Sequence, residues 1–351
     1  MASEKSKSVI IWLFIGLFMI LMQVFIGGIT RLTGSGLSIT KWDIITGTLP
    51  PMSDISWHKA FDLYKETPQY HKINKGFSLE DFKFIFFWEY IHRLWARTMG
   101  FVFLIPCLYF WFTGRLSAKL KLRLVKVFLL AVLVATFGWL MVASGLIERP
   151  WVNAYKLSFH LSLALILFLY LLFVFCREIF TVKRNYEYKP IYNFFVILTC
   201  LVFLQIFLGG MMAGMKAALL FPTWPKIGTE YFPSIILDSK NWIAYNFEHY
   251  DKNLFFPALV QWLHRSLAYI IFVLGIGGTI YYFRNLNITG ILRKFIIGFC
   301  GLLTLQVVLG IFTLLYSIGS VPIWFGVFHQ LVGFLTIAVC LIVTINAKFT
   351  N

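Results

Sequence analysis

Residues 89–97, EYIHRLWAR, and residues 261–269, QWLHRSLAY, are two versions of one segment, 172 positions apart. Each places a His-Arg pair near the start of a long apolar run, His92-Arg93 in one and His264-Arg265 in the other. A second histidine follows in each half: His160 in KLSFHLSLA (156–164) and His329 in FGVFHQLVG (325–333). The chain is therefore read as a duplicated membrane bundle with two matched histidine pairs.

Composition agrees. The 351 residues are 59% hydrophobic and 19% aromatic, with 13% charged, too apolar for a soluble globule. Eight segments are long enough for a hydrocarbon core of about 30 Å: near 8–28, 84–112, 125–146, 156–176, 191–211, 256–283, 295–316 and 323–346. The first run is too long for a signal peptide and lacks a small-residue cleavage site, so it is read as a span. The expected fold is an all-α polytopic membrane protein of two pseudo-symmetric four-helix bundles, residues 1–188 and 189–351. The first and fifth spans align without a gap at an offset of 182, pairing Gln23 with Gln205, Gly27-Gly28 with Gly209-Gly210, Trp42 with Trp224 and Pro51 with Pro233. Each copy holds four spans, an even number, so the repeat is parallel and not inverted.

The net charge of +16 invites a nucleic-acid reading, but its distribution excludes one. Lys5 and Lys7, then Arg115, Lys119, Lys121, Arg123 and Lys126, then Arg177, Lys183, Arg184 and Lys189, then Arg284, Arg293 and Lys294 occupy the tail and alternate short loops, accompanied by Glu4, Glu178 and Glu187. This positive-inside pattern puts both termini in the cytoplasm, with membrane lipid as the immediate surroundings. The cysteines Cys107, Cys176, Cys200, Cys300 and Cys340 show no metal-ligand spacing and are read as apolar filler, with no disulfide.

An intramembrane imidazole is costly without a partner. Two pairs, one per repeat and at one depth towards the long-loop side, read as axial ligands of two haems. The residue four after each histidine is small (Ala96, Ala164, Ala268 and Gly333) and lies one turn along the same face, leaving room for a flat ring. Arg93, Arg265 and Arg31 are candidates for haem propionates. The informative asymmetry is Glu89, three residues before His92, against Gln261 before His264. One unit offers a carboxyl whose neutral form desolvation favours; the other offers an amide of equal length that cannot exchange protons. The first unit is expected to do chemistry and the second to carry electrons. His58, His71 and His249 fall in outer loops and are read as surface residues.

The segments GGITRLTGSGLSITKW (27–42), LPP (49–51), EYIHRLWARTMG (89–100), MMAGMKA (211–217), TWP (223–225) and QWLHR (261–265) resemble the haem A synthase family, in its alphaproteobacterial and mitochondrial branch, over essentially the whole chain. Some bacterial members carry a cysteine pair in the first outer loop; this chain has none there. The resemblance implies a membrane oxidoreductase that converts the C8 methyl of haem O to a formyl group, giving haem A for a terminal oxidase, by two hydroxylations and loss of water from the geminal diol. It assigns His264 and His329 to the iron of a resident haem b, His92 and His160 to the substrate haem, and a catalytic role to Glu89. Haem O synthase, terminal oxidase assembly proteins, an electron acceptor and a second copy of the chain are the partners this implies. Two rivals stay open: a di-haem b electron-transfer cytochrome, which gives no reason for Glu89 and Gln261 to differ, and a transporter, which predicts polar residues along a path across the bilayer.

Overall fold

The structure is a computed structural model that describes residues 7–40, 49–145, 150–180 and 188–349. Its eight long apolar helices are α1 (Lys7–Leu32), α4 (Leu79–Phe112), α5 (Ala118–Gly145), α6 (Ala154–Ile179), α7 (Lys189–Met215), α10 (Phe255–Asn285), α11 (Gly290–Leu315) and α12 (Ile323–Phe349). Four shorter ones, α2 (Asp54–Lys65), α3 (Pro68–Lys72), α8 (Ala217–Leu220) and α9 (Ala244–Glu248), lie in the two long loops. Among the described residues there is no strand, apart from one isolated bridge between Ile227 and Glu230.

All eight expected spans are present, most with extended ends. The largest difference is in α4, which begins at Leu79 because Ser78 closes a reciprocal capping box with Asp81. The added turns carry Glu80, Asp81 and Lys83, so they project beyond the apolar run instead of deepening His92. At 1.5 Å per residue α4 is about 51 Å long, well beyond a hydrocarbon core.

The helices sort into an inner and an outer set. Half of the apolar window of α12 is buried, 50%, against 6% in α5. α1, α6, α7 and α12 form the centre: α1 packs on α6 and α12, α7 on α6 and α12, and α6 on α12. α4 attaches to α1, α5 to α6, α10 to α7 and α11 to α12. One hydrophobic cluster runs from Val9 in α1 to Ala347 in α12, with Phe168 of α6 against Phe334 of α12 at 5.9 Å. The two expected halves thus share a continuous core. Equivalent contacts recur at the sequence offsets: a Cβ at Gly28 would meet Val327 Cγ2 at 3.3 Å, and one at Gly210 would meet Ser158 Oγ at 2.9 Å. Gly28-Gly210 and Ser158-Val327 are offset by 182 and 169, like the segments that carry them.

The basic loops gather at one end. Arg123 at the start of α5 reaches Glu178 at the end of α6, 3.4 Å, and the Tyr188 hydroxyl before α7 donates to the Asn287 carbonyl after α10, 3.1 Å. Lys5, Lys183, Arg184, Glu4 and Glu187 lie outside the described residues, as does Trp42. The five cysteines are free thiols.

At the opposite end, α2 and α3 pack on the first turns of α4 through Phe61, Tyr64, Phe82, Ile85 and Phe86. The Tyr64 hydroxyl donates to Gln69 Oε1, 3.1 Å, and accepts from Asn74 Nδ2, 2.8 Å. Gln69 Nε2 in turn donates to the Gly34 carbonyl, 2.8 Å, where the backbone takes φ 71°, a conformation glycine adopts without strain. These bonds pin the segment after α1 over the end of the first unit.

Candidate functional site

The four histidines share one construction. Each ring lies against a glycine on a neighbouring helix, where a side chain would collide with it. A Cβ at Gly27 of α1 would lie 3.1 Å from His92 Nε2, and one at Gly209 of α7 would lie 3.3 Å from His264 Cε1. On the other side, a Cβ at Gly138 of α5 would be 2.9 Å from His160 Cε1, and one at Gly310 of α11 would be 2.8 Å from His329 Cε1. Gln23 Nε2 donates to the His92 carbonyl at 3.2 Å, and Gln205 Nε2 to the His264 carbonyl at 2.9 Å. Those amides lock α1 to α4 and α7 to α10 at the level of the rings. Sequence reading found Gln23, Gln205, Gly27 and Gly209 as marks of the repeat but missed Gly138 and Gly310. Their separation of 172, the same as His92 to His264, was the available signal.

The structure brings the second pair together. The His264 and His329 ring centroids are 6.4 Å apart. Two imidazoles bonded at about 2 Å to opposite sides of one metal, with about 1.1 Å from nitrogen to ring centre, would have centroids about 6.2 Å apart. His329 Nδ1 faces the Gln306 carbonyl at 3.1 Å, the kind of bond that orients a ligating imidazole. His92 and His160 stand on α4 and α6, the helices that flank α1. Buried nitrogens His160 Nδ1 and His264 Nδ1, and buried oxygens Gln261 Oε1 and Gln306 Oε1, have no hydrogen-bond partner. Orphaned polar atoms beside two imidazole pairs fit a polar-edged planar ligand better than a dry core. Among the described residues no group of three or more His, Cys, Asp or Glu assembles; paired imidazoles are a donor set that haem iron accepts.

Glu89 is buried, 2% exposed, and both of its carboxyl oxygens are hydrogen-bonded. Oε2 accepts from Ser38 N at 2.7 Å, Ser38 Oγ at 2.7 Å and Ile39 N at 2.8 Å. Oε1 accepts from Arg93 Nη2 at 2.5 Å. Four donors, one of them the Arg93 guanidinium, thus converge on the two oxygens. At the equivalent place the loop turns the other way. Gln261, fully buried, donates through Nε2 to the Phe221 carbonyl at 3.1 Å. Arg93 donates to the Ile39 carbonyl at 3.1 Å, and Arg265 donates to that of Phe221 at 3.4 Å; residues 39 and 221 are themselves 182 apart. The loop before α4 presents N–H groups to a carboxylate, and the loop before α10 presents a carbonyl to an amide.

Of the arginines, Arg93 is thus paired with Glu89, and Arg265 also holds the Lys226 carbonyl at 2.9 Å. Arg31 crosses between the halves, donating to Ala213 O at 2.7 Å and Gly214 O at 3.4 Å, where the C-terminus of α7 favours a cation. Lys216 joins it there; burial, and then the Arg31 charge, lower its ammonium below the usual range. His58 and His71 are exposed on α2 and α3, and His249 stacks on Tyr245 at 4.2 Å. None of these three approaches the paired histidines.

Known proteins resemble this chain over nearly its whole length. The COX15-CtaA family, described as cytochrome oxidase assembly protein, matches residues 10–341. The chain is 38% identical over 342 residues to a protein named Heme A synthase from Flavobacterium psychrophilum, covering 95% of this chain and 96% of that one. It is 38% identical over 327 residues to the Heme A synthase of Brucella anthropi, covering 93% and 88%, and 37% identical over 327 residues to that of Brucella suis, with the same coverage. Similarity of this extent, carried by a duplicated eight-span bundle with paired histidines, shows that the chain belongs to the COX15-CtaA family of cytochrome oxidase assembly proteins.

Proposed function

We propose that this chain is a haem A synthase, a membrane oxidoreductase that converts the C8 methyl of haem O to a formyl group by successive hydroxylation. In this reading residues 1–188 hold the substrate between His92 and His160, and residues 189–351 hold a resident haem b between His264 and His329. The observation that carries it is the difference at one repeated position: a donor-saturated carboxylate beside the first pair, an amide beside the second. A pair of permanent electron-transfer haems gives no use for that difference.

Bound haem b supplies one-electron redox chemistry. The protein's share is positional and electrostatic. The glycine faces and the Gln23 and Gln205 bonds hold the imidazoles at one level. The Glu89 carboxylate is fixed in place by Ser38, Ile39 and Arg93, so its charge is preorganised to stabilise positive charge developing at a neighbouring carbon. Acting as a proton acceptor would require one of those donors to swing away, which favours the charge-stabilising role. Guanidinium N–H groups of Arg93, Arg265 and Arg31 are the candidates for propionate contacts. The basic loops face the cytoplasm of a bacterial inner membrane in this reading, with both termini on that side. The electrons pass to a separate acceptor, and haem O synthase and terminal oxidase assembly proteins are the partners that supply substrate and take product.

Extraction of haems from the chain purified out of cells provided with haem O tests this directly. Haem A together with a retained haem b is the expected result. Two tightly held b haems with no aldehyde-bearing haem would overturn the proposal in favour of a di-haem cytochrome.

A further inference from the structure

Three sides of each four-helix unit are packed alike. In the first, α1 lies against α4 and α6, and α5 against α6; in the second, α7 lies against α10 and α12, and α11 against α12. The fourth side differs. α10 and α11 pack along each other, and Gly275 is where α11 closes in: a Cβ there would be 2.7 Å from Leu303 Cδ2 and 3.2 Å from the Phe299 ring. Among the described residues, α4 and α5 pack along one another far less than α10 and α11 do; Lys121 of α5 lies over the Trp111 ring of α4 at 4.8 Å, at the end where their loop joins them. The positions 172 earlier give the reason, for Phe103 stands in place of Gly275, Val127 in place of Phe299 and Ala131 in place of Leu303. The Phe103 ring is turned towards Trp12 of α1, centroids 5.5 Å apart. α4 is thus held to α1, and α5 offers less bulk on this side than α11 does, although Val127 is itself buried in the shared apolar cluster. Gly100, on the His92 side of Phe103, has nothing within 4 Å of its Cβ position.

The opening reaches the histidines. Ala96, one turn after His92, is exposed, whereas its counterpart Ala268 is half-buried; Ala164 after His160 is half-buried, whereas Gly333 after His329 is buried. The face a flat ring would occupy in the first unit is therefore open sideways, within the apolar depth of the spans. The route from the loop end is covered by the α2–α3 cap and by the Glu89-pinned segment at Ser38 and Ile39.

We propose that the unclosed α4–α5 side is a lateral port, through which a porphyrin bearing a long isoprenoid chain passes between the bilayer and the His92–His160 pair. The proposal rests on the reading of that pair as the substrate site. The chemistry of the ligand favours the route, because each methylene of such a chain is unfavourable in water and a side entrance lets the chain stay in lipid throughout. The closed α10–α11 side, by the same argument, is what keeps the second haem resident.

The test uses the full chain in lipid nanodiscs with its resident haem in place, mixed with phospholipid vesicles carrying haem O, while the rise of a second low-spin absorbance is followed. The variant Phe103→Gly/Val127→Phe/Ala131→Leu grafts the second unit's seam onto the first. It should slow haem O uptake at least about tenfold and leave the resident haem spectrum unchanged, since closure of a packed seam acts on access and not on the ligands. Gly275→Phe is the reciprocal change. It should release the resident haem b to an apoglobin acceptor at least about tenfold faster, because a side chain there cannot fit between α10 and α11. Uptake at the wild-type rate in a triple variant that retains its resident haem overturns the port. If the triple variant loses that haem, the Gly275→Phe arm decides, and release at the wild-type rate overturns the proposal. Failure of the wild-type chain to take up any haem O removes the substrate reading itself, and the port with it.

Discussion

Glu89→Gln is the most discriminating perturbation, because it changes charge at nearly constant shape. In the structure the carboxylate is held by Ser38, Ile39 and Arg93, and the Glu89 and Arg93 side chains are 3% and 11% exposed. A glutamine at this place keeps one oxygen for Ser38 and Ile39 but turns an NH2 group towards the guanidinium, donor against donor. Removing one partner of a buried ion pair costs about 3–5 kcal/mol, concentrated where the loop docks on α4. If the charge also serves the reaction, a positioned group of this kind accounts for about 10²–10⁴ in rate. Haem A should therefore fall at least about tenfold, with haem O accumulating and the resident haem b spectrum intact. The double variant Glu89→Gln/Arg93→Gln separates the two effects, since it also removes the stranded positive charge. A purely structural Glu89 predicts that extracted haem A recovers in the double variant; a reactive one predicts that it stays low. Recovery there, or near-wild-type haem A from the single variant, refutes the reasoning. The reverse change, Gln261→Glu, should create no second reactive site, because it sets a carboxylate against the Phe221 carbonyl.

Other outcomes follow from the same geometry. His264→Ala or His329→Ala should abolish the low-spin haem b spectrum while circular dichroism stays helical, whereas His92→Ala or His160→Ala should abolish haem A and spare that spectrum; loss of all haem from both sets would contradict separate sites. Gly310→Val should displace the His329 ring, whose Cε1 would be 2.8 Å from the new Cβ, and lower haem b occupancy as far as the alanine variant of the histidine does; full occupancy would show that the ring does not depend on that glycine face. The buried Tyr64 hydroxyl is pushed up to about 12, by burial first, so the folded cap keeps a proton that the unfolded chain loses near pH 10. Its stabilising share is complete below about pH 10 and is lost as the pH rises towards 12. Tyrosinate absorbance should accordingly show a late-titrating residue that Tyr64→Phe removes.

Eight spans, their parallel duplication and the four histidines were legible in the chain because each depends on local composition or on a fixed sequence offset. Hydrophobic run length sets what can cross a bilayer, and a repeat is visible wherever both copies keep the same residue. The Glu89–Gln261 contrast was legible for the same reason. What local pattern could not supply was the set of partners around that carboxyl. They include Ser38 and Ile39, about fifty residues away, whose main-chain N–H groups carry no sequence signature. Gly138 and Gly310 were likewise invisible as ring seats, since a glycine's use depends on which side chain a different helix lays against it. The order of the helices around the shared core, and the difference between a closed α10–α11 side and an open α4–α5 side, belong to tertiary structure in the same way. They depend on whether bulk on one helix meets space on another, a property of pairs of positions that no single stretch of sequence contains.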